Sequence, residues 1–329
     1  MRDAAANLAR GALVAFPTET VYGLGADACN SAAVARVYSV KGRPSDHPVI
    51  VHIASMDRMG DWADDVPMHA ISLARNFWPG PMTLILKRSA LAGDFVTGGQ
   101  DTVGVRVPDH VVALALLEAF ENIGGKGVAA PSANRFGHVS PTTAGAVVEE
   151  IGQYLDTGDL VLDGGSCSVG VESTIIDCTG GLPRILRPGA ITVAMIERST
   201  GLVLAEQGKT FVFTGSDEIT PSQHSMQEDL QDIRVSGSLE THYAPEATVI
   251  LDATPVAGQG FIALTNIETP AGVIRLAAPN TDNEFAQVLY AALRKADAVG
   301  LSEVVVAQPT GDGIAIAIRD RLRRASNGR

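Results

Sequence analysis

Apolar residues in the first 200 positions form short runs, separated by segments in which apolar residues recur every three or four positions. The runs predict strands at Ala12–Phe16, Val49–Ile53, Met82–Lys87, Val103–Val107, Val128–Ala130, Leu160–Leu162, Ser173–Asp177 and Arg184–Leu186. The spaced segments predict helices at Ala4–Arg10, Ser31–Val40, Met68–Phe77, His110–Glu121, Thr142–Ile151 and Ile191–Ser199. Because the strand runs hardly alternate with polar residues, we expect an α/β fold whose sheet is covered on both faces.

A change of composition precedes a smaller unit at the carboxyl end. Ser, Thr, Gln and acidic residues dominate positions 203–246, which predicts a linker. Further strands are predicted at Thr248–Leu251, Phe261–Thr265, Val273–Leu276 and Val304–Ala307, and helices at Asn283–Val299 and Gly313–Arg324. We therefore expect a first domain over 1–202, a linker over 203–246 and a small Rossmann-like α/β domain over 247–329.

Charge and cysteine content narrow the class of protein. The formal net charge of the 329 residues is -12, shared equally between positions 1–200 and 201–329, so any RNA contact should be local and weak. The three cysteines have neither CxxC pairing nor metal-ligand spacing, which favours a reducing compartment. With no leader pattern, and with an apolar run at Val111–Phe120 of half the length a bilayer needs, we expect a cytoplasmic protein without membrane contact.

Hydroxyl groups and one carboxylate follow the first predicted strand in Phe16-Pro17-Thr18-Glu19-Thr20-Val21-Tyr22-Gly23-Leu24-Gly25. Hydroxyl groups at a strand end can hold a polar ligand, but on composition alone an ordinary turn with local hydrogen bonds is the better explanation. Gly23–Ala28 also resembles a GxGxxA dinucleotide fingerprint. That pattern is weak here, since the fingerprint requires its glycines directly after the strand.

Basic residues and a histidine occur on one predicted loop and within two predicted strands. Lys41 and Arg43 lie on a loop before a strand, where they could bind phosphate or simply face water. His52 and Arg106 lie within apolar strands; a buried Arg needs an anionic ligand or an internal ion pair, and His52 could be a core histidine. Further strand-end loops are Ala129-Ala130-Pro131-Ser132-Ala133-Asn134, Gly170-Val171-Glu172-Ser173-Thr174 and Arg184-Ile185-Leu186-Arg187-Pro188-Gly189.

Several catalytic signatures are absent from the chain. It has no GxxxxGK[ST], HExxH or GxSxG motif and no kinase signature, and Cys167 has no neighbouring base. The residues alone thus indicate an α/β protein whose strand-end loops could bind an anionic, phosphate-bearing ligand.

Seven ordered segments resemble those of the Sua-YciO-YrdC family. They are FPTETVYGLG, KGRPSDHPVIVH, WPGPMTLIL, DTVGVRVP, APSAN, DGG…GVESTI and ILRPG, and the later HYAP with the small α/β unit resembles the two-domain threonylcarbamoyl-AMP synthases. The resemblance implies a YrdC-like fold, a twisted mixed sheet around a cationic cavity. It also implies synthesis of threonylcarbamoyl-AMP from L-threonine, bicarbonate or CO2 and ATP, with release of pyrophosphate, for tRNA modification next to the anticodon.

The resemblance also assigns roles to residues. The expected L-threonine ligands are Thr20, His52, Arg106, Ser132 and Ser173. The expected ATP ligands are Lys41, Arg43, His47, Thr102, Ser132, Asn134, Ser140, Arg187, His242 and Tyr243. Lys41 and Arg43 are also the expected catalytic residues, and the HYAP segment would fold over the cavity. His47 stands where the family often has Asn, and its imidazole can still donate or accept one hydrogen bond.

The same resemblance implies Mg2+ carried with ATP, no metal site of the protein itself, and downstream proteins that transfer the threonylcarbamoyl group to tRNA. Three alternatives remain open at this point. They are an RNA-binding YrdC-type protein without synthase activity, a nicotinamide enzyme built on Gly23–Ala28, and the carbamoyl-transfer protein of hydrogenase maturation. The last has zinc-finger cysteines that this chain lacks.

Overall fold

A nine-stranded mixed sheet forms the larger part of the protein. The computed structural model describes residues 1–205, 211–212, 220–221, 233–237 and 242–328. The strands of this sheet are β1 Val14–Phe16, β2 Gly23–Asp27, β3 Ile50–His52, β4 Met82–Lys87, β5 Thr102–Arg106, β6 Val128–Ala129, β7 Leu160–Val161, β8 Thr174–Asp177 and β9 Arg184–Arg187. Their order is β7-β1-β2-β6-β3-β5-β4-β8-β9. The pairs β7–β1, β3–β5 and β4–β8 are parallel and the others antiparallel, which confirms a mixed sheet.

Helices cover this sheet on both faces. They are α1 Arg2–Ala9, α2 Ser31–Lys41, α3 Met59–Trp62, α4 Met68–Phe77, α5 Asp94–Thr97, α6 Val111–Glu121, α7 Ala144–Ile151 and α8 Val193–Thr200. On β1, Val14 and Phe16 pack with α1 and α6, whereas Ala15 belongs to a separate apolar cluster with α2 and α4. Successive strand residues point to opposite faces, so the unbroken apolar run reflects burial on both sides, as the sequence predicts.

Strand β2 was not predicted, because its residues were interpreted as a glycine turn. Gly23–Asp27 instead pairs with β1 on one side and β6 on the other. A Cβ atom on Gly25 would lie 2.7 Å from Val128 and 2.8 Å from Phe16, so glycine is required here by close packing of strands. The dinucleotide interpretation therefore does not hold: its glycines lie inside a strand and not at a helix N-terminus.

The carboxyl-terminal unit is a four-stranded parallel sheet with two helices. Its elements are β12 Thr248–Leu251, β13 Gly260–Ile262, β14 Ile274–Ala277, α9 Asp282–Ala298, β15 Glu303–Val306 and α10 Ile314–Ser326. The strand order is β12-β15-β13-β14, and all three pairs are parallel. This matches the predicted small α/β unit. Most of the predicted linker 203–246 lies outside the described residues. Its described positions include the short antiparallel pair β10 Phe211–Val212 and β11 Thr220–Pro221. The boundaries at 202 and 246 stay predictions.

The apolar core of the carboxyl-terminal unit continues into the larger one. Phe285, Leu289 and Tyr290 on α9 form one buried cluster with Val21 and Val171 of the first unit. Val21 directly follows Thr20, and Val171 directly precedes Glu172. Packing from the second unit therefore supports two of the loops singled out in the sequence.

Candidate functional site

Seven separate stretches of the first unit contribute residues to one cavity. The cavity is partly open to solvent, and its empty space of about 530 Å3 includes that open part. Nine of the predicted ligand residues line it, namely Thr20, Arg43, His52, Arg106, Ser132, Ser173, Arg187, His242 and Tyr243. Their sequence separation shows that the tertiary fold brings the strand-end loops together, which is the arrangement expected of a small-molecule site.

One end of the cavity contains a buried ion pair. Arg106, at the end of β5, is 4% exposed, and its Nη2 stands 2.7 Å from Oε2 of Glu19. Its Nη1 donates to Oγ1 of Thr20 at 3.0 Å. The Nε and Nη2 of Arg106 and both oxygens of Glu19 nevertheless lack a hydrogen bond of good geometry, so the short contact is a charge pair without aligned donors. Buried polar atoms without a well-aligned hydrogen-bond partner favour binding of a polar ligand.

His52 lies next to this pair because β3 and β5 are parallel, with His52 opposite Arg106 in register. Its ring contacts Phe16 edge to face, and its buried Nδ1 has no hydrogen-bond partner in the described chain. Burial and the neighbouring Arg106 lower the pKa of His52 to about 3. The imidazole is therefore neutral at physiological pH and can accept or donate one hydrogen bond to a ligand.

Two further arginines, Arg43 and Arg187, line the cavity. Burial lowers the pKa of Arg43 to about 10 and lowers that of Arg187, but both remain charged at neutral pH. Arg187 donates from Nε and Nη2 to the carbonyl of Ser173 at 3.1 and 2.9 Å. No carboxylate within the described residues lies within ion-pair distance of either arginine. Buried guanidinium groups without a counter-charge favour a phosphate-bearing ligand.

The segment 233–237 occupies the space between these arginines. Ser236 accepts hydrogen bonds from Nη1 of Arg187 through its carbonyl, at 2.7 Å, and from Nη2 of Arg43 through its hydroxyl, at 3.3 Å. Val235 packs with Ile85 and Ile175 beside a neighbouring cleft of about 270 Å3 that Thr102 lines. A carbonyl and a hydroxyl thus take positions suited to ligand oxygens.

Lys41 is the last residue of α2, and Gly42 ends this helix in the left-handed conformation at φ +64°. Lys41 therefore has different surroundings from Arg43, which follows this turn. Its Nζ donates to the carbonyls of Ser132 and Asn134, both at 2.6 Å, and it does not line the cavity. Burial and the charge of Arg43 lower the pKa of Lys41 well below its usual value. Lys41 therefore holds the Ser132–Asn134 loop in place, and its predicted contact with phosphate remains a prediction.

Four other predicted ligands also lie outside the cavity lining: Thr102, which lines only the neighbouring cleft, and Asn134, Ser140 and His47. The side-chain amide of Asn134 donates to the carbonyls of Arg135 and His138, both at 2.8 Å. The hydroxyl of Ser140 donates to Oε1 of Glu172 at 2.7 Å. His47 is partly exposed, and its ring contacts Phe136. Their predicted roles at the nucleotide stay predictions.

His242 and Tyr243 close the cavity from the side of the carboxyl-terminal unit. Their rings are 4.1 Å apart edge to face, and Tyr243 stacks on Tyr290 at 5.8 Å. Burial lowers the pKa of His242 to about 3. Tyr243 has a φ of +64°, a costly conformation for a large side chain that the surrounding packing must maintain.

Four functional candidates were missed by the sequence reasoning: Glu19, Glu172, Ser236 and Arg321. Glu19 and Glu172 lie within quoted motifs, so an expectation that each buried arginine needs a counter-charge would have drawn attention to them. Ser236 and Arg321 carry no local signal, because their partners are far away in the sequence.

A twisted mixed sheet whose strand-end loops enclose a buried cationic cavity defines the YrdC-like class, and a small parallel α/β unit follows it in this chain. The family model described as "Telomere recombination" (Sua5, YciO and YrdC) matches residues 6–189, and that of the threonylcarbamoyl-AMP synthase C-terminal domain matches 191–327. The chain belongs to the Sua5–YciO–YrdC family, and it carries the C-terminal domain of the two-domain members.

Similar proteins match nearly the whole chain. Threonylcarbamoyl-AMP synthase of Pyrococcus abyssi is 38% identical and that of Bacillus subtilis 37%. These matches cover 100% and 99% of this chain, and 94% and 93% of the relatives. The crystal structure of P. abyssi Sua5 complexed with L-threonine superposes with a TM-score of 0.83 at 36% identity, covering 99% of this chain and 94% of the other. This confirms the recognised family and the fold.

Neither a metal cluster nor a membrane-spanning helix occurs in the part of the chain that the structure describes. Among those residues, no three His, Cys, Asp or Glu side chains stand close enough to share a metal ion. None of the described helices combines the length and apolar character needed to cross a bilayer.

Proposed function

We propose that this chain synthesises threonylcarbamoyl-AMP from L-threonine, bicarbonate or CO2, and ATP, and that it releases pyrophosphate. The product would serve the threonylcarbamoyl-adenosine modification of tRNA. Relatives covering the whole chain are named threonylcarbamoyl-AMP synthase, and a solved structure of one contains L-threonine.

A single observation carries the proposal: one cavity combines sites for two chemically different ligands. Arg43 and Arg187 provide buried positive charge for a polyphosphate. Beside them, Arg106, Glu19 and His52 present buried donors and acceptors without hydrogen-bond partners. A zwitterionic amino acid supplies both an acceptor carboxylate and a donor amine, so it can satisfy groups of both kinds. The cavity therefore suits ATP and an amino acid bound side by side.

The reaction requires positioning and charge stabilisation. The amine of threonine forms an N–C bond with CO2 and loses a proton, giving a carbamate. A carbamate oxygen then attacks the α-phosphorus, and the bond to the leaving pyrophosphate breaks. Arg106 would hold the carboxylate of threonine, and Arg43 and Arg187 would stabilise charge on the phosphates. Burial raises the pKa of Cys167 to about 12, so this thiol stays protonated and is poorly suited to act as a nucleophile.

Magnesium, the cellular location and the partners are part of the proposal. Both carboxylates near the cavity, Glu19 and Glu172, are ion-paired with arginines, so the donor set does not fit a metal held by the protein. Mg2+ would enter bound to ATP and be held by phosphate oxygens and water. We also propose a cytoplasmic reaction with ATP, L-threonine and bicarbonate. Downstream proteins that transfer the threonylcarbamoyl group to tRNA would consume the product.

Pyrophosphate release measured with each substrate omitted in turn tests this function. We expect release that depends on ATP, threonine and bicarbonate together. Release that persists without threonine would contradict the activity. Salt-sensitive RNA binding without threonine-dependent release would instead favour the RNA-binding alternative.

A further inference from the structure

Arg321 on α10 is the one charged side chain that the carboxyl-terminal unit buries among residues 247–328. It is 1% exposed. Its Nε donates to Oε2 of Glu172 at 2.7 Å, its Nη2 to the carbonyl of Pro188 at 3.0 Å, and its Nη1 to Asp320 at 2.6 Å. Arg321 therefore reaches across to two loops of the first unit, both of which end at the cavity.

Glu172 lines the cavity, yet its carboxylate hydrogen-bonds to groups other than Arg43 and Arg187, the two arginines without a carboxylate partner. Oε1 accepts from the hydroxyl of Ser140 at 2.7 Å, and Oε2 accepts from Tyr290 at 2.8 Å and from Arg321. Burial would raise the pKa of Glu172, but Arg321 and Arg187 lower it below its ordinary value, so the carboxylate is charged at neutral pH. A charged carboxylate in the wall of a phosphate site is a potential competitor for the phosphate.

Arg187 is the group for which the competition would occur. It donates to the carbonyl of Ser173, the residue after Glu172, and it precedes Pro188, whose carbonyl Arg321 binds. The charge of Glu172 also acts on Arg187 and opposes the lowering of its pKa by burial. Glu172 is thus close enough to influence Arg187, although its carboxylate hydrogen-bonds elsewhere.

We propose that Arg321 is a positioning residue for the nucleotide site: it binds the Glu172 carboxylate and so leaves Arg187 available to phosphate. This rests on the proposed function, and it assigns to the carboxyl-terminal unit a share in nucleotide affinity. Without Arg321, the Glu172 carboxylate would be a buried negative charge without its cationic partner. An ion pair with Arg187 would then offset part of the free-energy cost of burying it. Phosphate would then have to displace a carboxylate.

Binding of ATP and of inorganic tripolyphosphate, measured by calorimetry at neutral pH, tests the proposal. For Arg321→Met we expect the Kd of both ligands to rise about tenfold, while the KM for threonine changes less than threefold. Arg321→Lys keeps the charge and should stay within threefold of the wild type. The double variant Arg321→Met, Glu172→Gln removes the competing charge, so it should recover to within threefold. A rise below threefold in Arg321→Met, or a double variant as weak as the single one, would overturn the proposal.

Glu172→Gln alone supplies a second test that does not depend on the folding of Arg321→Met. With the competitor neutral and Arg321 intact, tripolyphosphate should bind at least as tightly as to the wild type. Binding weakened more than threefold would overturn the proposal.

Arg294→Met is the matched control, because Arg294 also joins the two units by an ion pair, to Glu150 at 2.9 Å, but Glu150, unlike Glu172, does not line the cavity. We expect a lower melting temperature with ligand Kd values within twofold of the wild type. Equal weakening in Arg294→Met and Arg321→Met would mean that a loosened interface is responsible, against the proposal. A wild type that binds tripolyphosphate but releases no pyrophosphate contradicts the proposed function alone. A wild type that binds neither ATP nor tripolyphosphate contradicts both.

Discussion

The two units of this protein differ in what they bury. The first unit buries Glu19, Lys41, Arg43, Arg106 and Arg187 near one cavity, whereas residues 247–328 bury an apolar core and the single charge of Arg321. That one charge points into the first unit and not into the core of its own. The difference indicates that the candidate ligand groups belong to the first unit, whereas the second unit contributes apolar packing and, through Arg321, one ion pair with the first.

Buried charges are costly in free energy unless they are paired or bound to a ligand. The first unit tolerates them partly because an apolar cluster shared with α9 supports its cavity loops from behind. Apolar packing by the second unit therefore supports a unit that carries buried charge and polar groups without partners. Changes in the apolar core of the second unit should consequently affect stability, and changes at the buried charges of the first unit should affect activity.

Arg43→Ala should have the largest effect, about a thousandfold loss of kcat/KM for ATP, because a buried cation at a phosphate site acts where charge develops. The free energy of unfolding should change by less than about 2 kcal/mol, since Arg43 has no carboxylate partner in the described chain. Steady-state pyrophosphate release and urea denaturation measure the two quantities. Arg88→Ala, which removes a surface arginine paired with Asp94 at 2.5 Å, is the control. Equal loss of activity and stability would make Arg43 a structural residue.

Arg106→Met should have the next largest effect. We expect kcat/KM for threonine to fall about a hundredfold, because a charge-assisted contact with its carboxylate is lost, while the KM for ATP stays within threefold. Stability should fall by about 3–5 kcal/mol, since Glu19 becomes a buried charge without a partner. Adding Glu19→Gln should restore most of the stability and none of the threonine affinity. Recovery of both would show that Arg106 only balances Glu19.

The dependence of stability on pH should reveal the buried histidines of the first unit and the linker. The pKa values of His52 and His242 are lowered to about 3, so the folded state keeps them neutral while the unfolded state takes up protons below about 6.5. The free energy of unfolding is therefore highest above pH 6.5 as far as these histidines are concerned. It falls as the pH is lowered, by up to about 1.4 kcal/mol per pH unit for each group. Between pH 6.5 and 5, His52→Gln should flatten the measured slope. An unchanged slope would mean that His52 is protonated in the folded protein.

Val305→Ala should have the smallest effect on turnover. Val305 is buried with Phe261 on β15 and β13, in an apolar cluster separate from the one that the two units share. Removing two methyl groups should cost about 2 kcal/mol of stability, and kcat/KM at 20 °C should remain within twofold. A large kinetic change would contradict the division of roles between the two units.

Local signals were sufficient for most of the secondary structure. The strand Met82–Lys87 and the helix Met68–Phe77 lie where their apolar spacing predicts them, since local periodicity reports which face is buried. Strand β2 was missed because its glycines suggest a turn, and only the neighbouring Phe16 and Val128 explain why glycine is needed there. Ordered family motifs pointed to the cavity-lining residues. From local chemistry alone, these residues would have been interpreted as parts of ordinary turns or of the core.

Composition, periodicity and motif order thus established the α/β class, the small second unit and the loops that carry the site. The tertiary structure decided which side chains meet: Lys41 with two loop carbonyls, Arg106 with Glu19, and Arg321 with Glu172. Glu172 and Arg321 are 149 positions apart in the chain, and no periodic pattern connects them. Backbone preferences act over a few neighbouring residues, whereas the partner of a buried charge is chosen by the packing of distant elements, so only the folded chain reveals it.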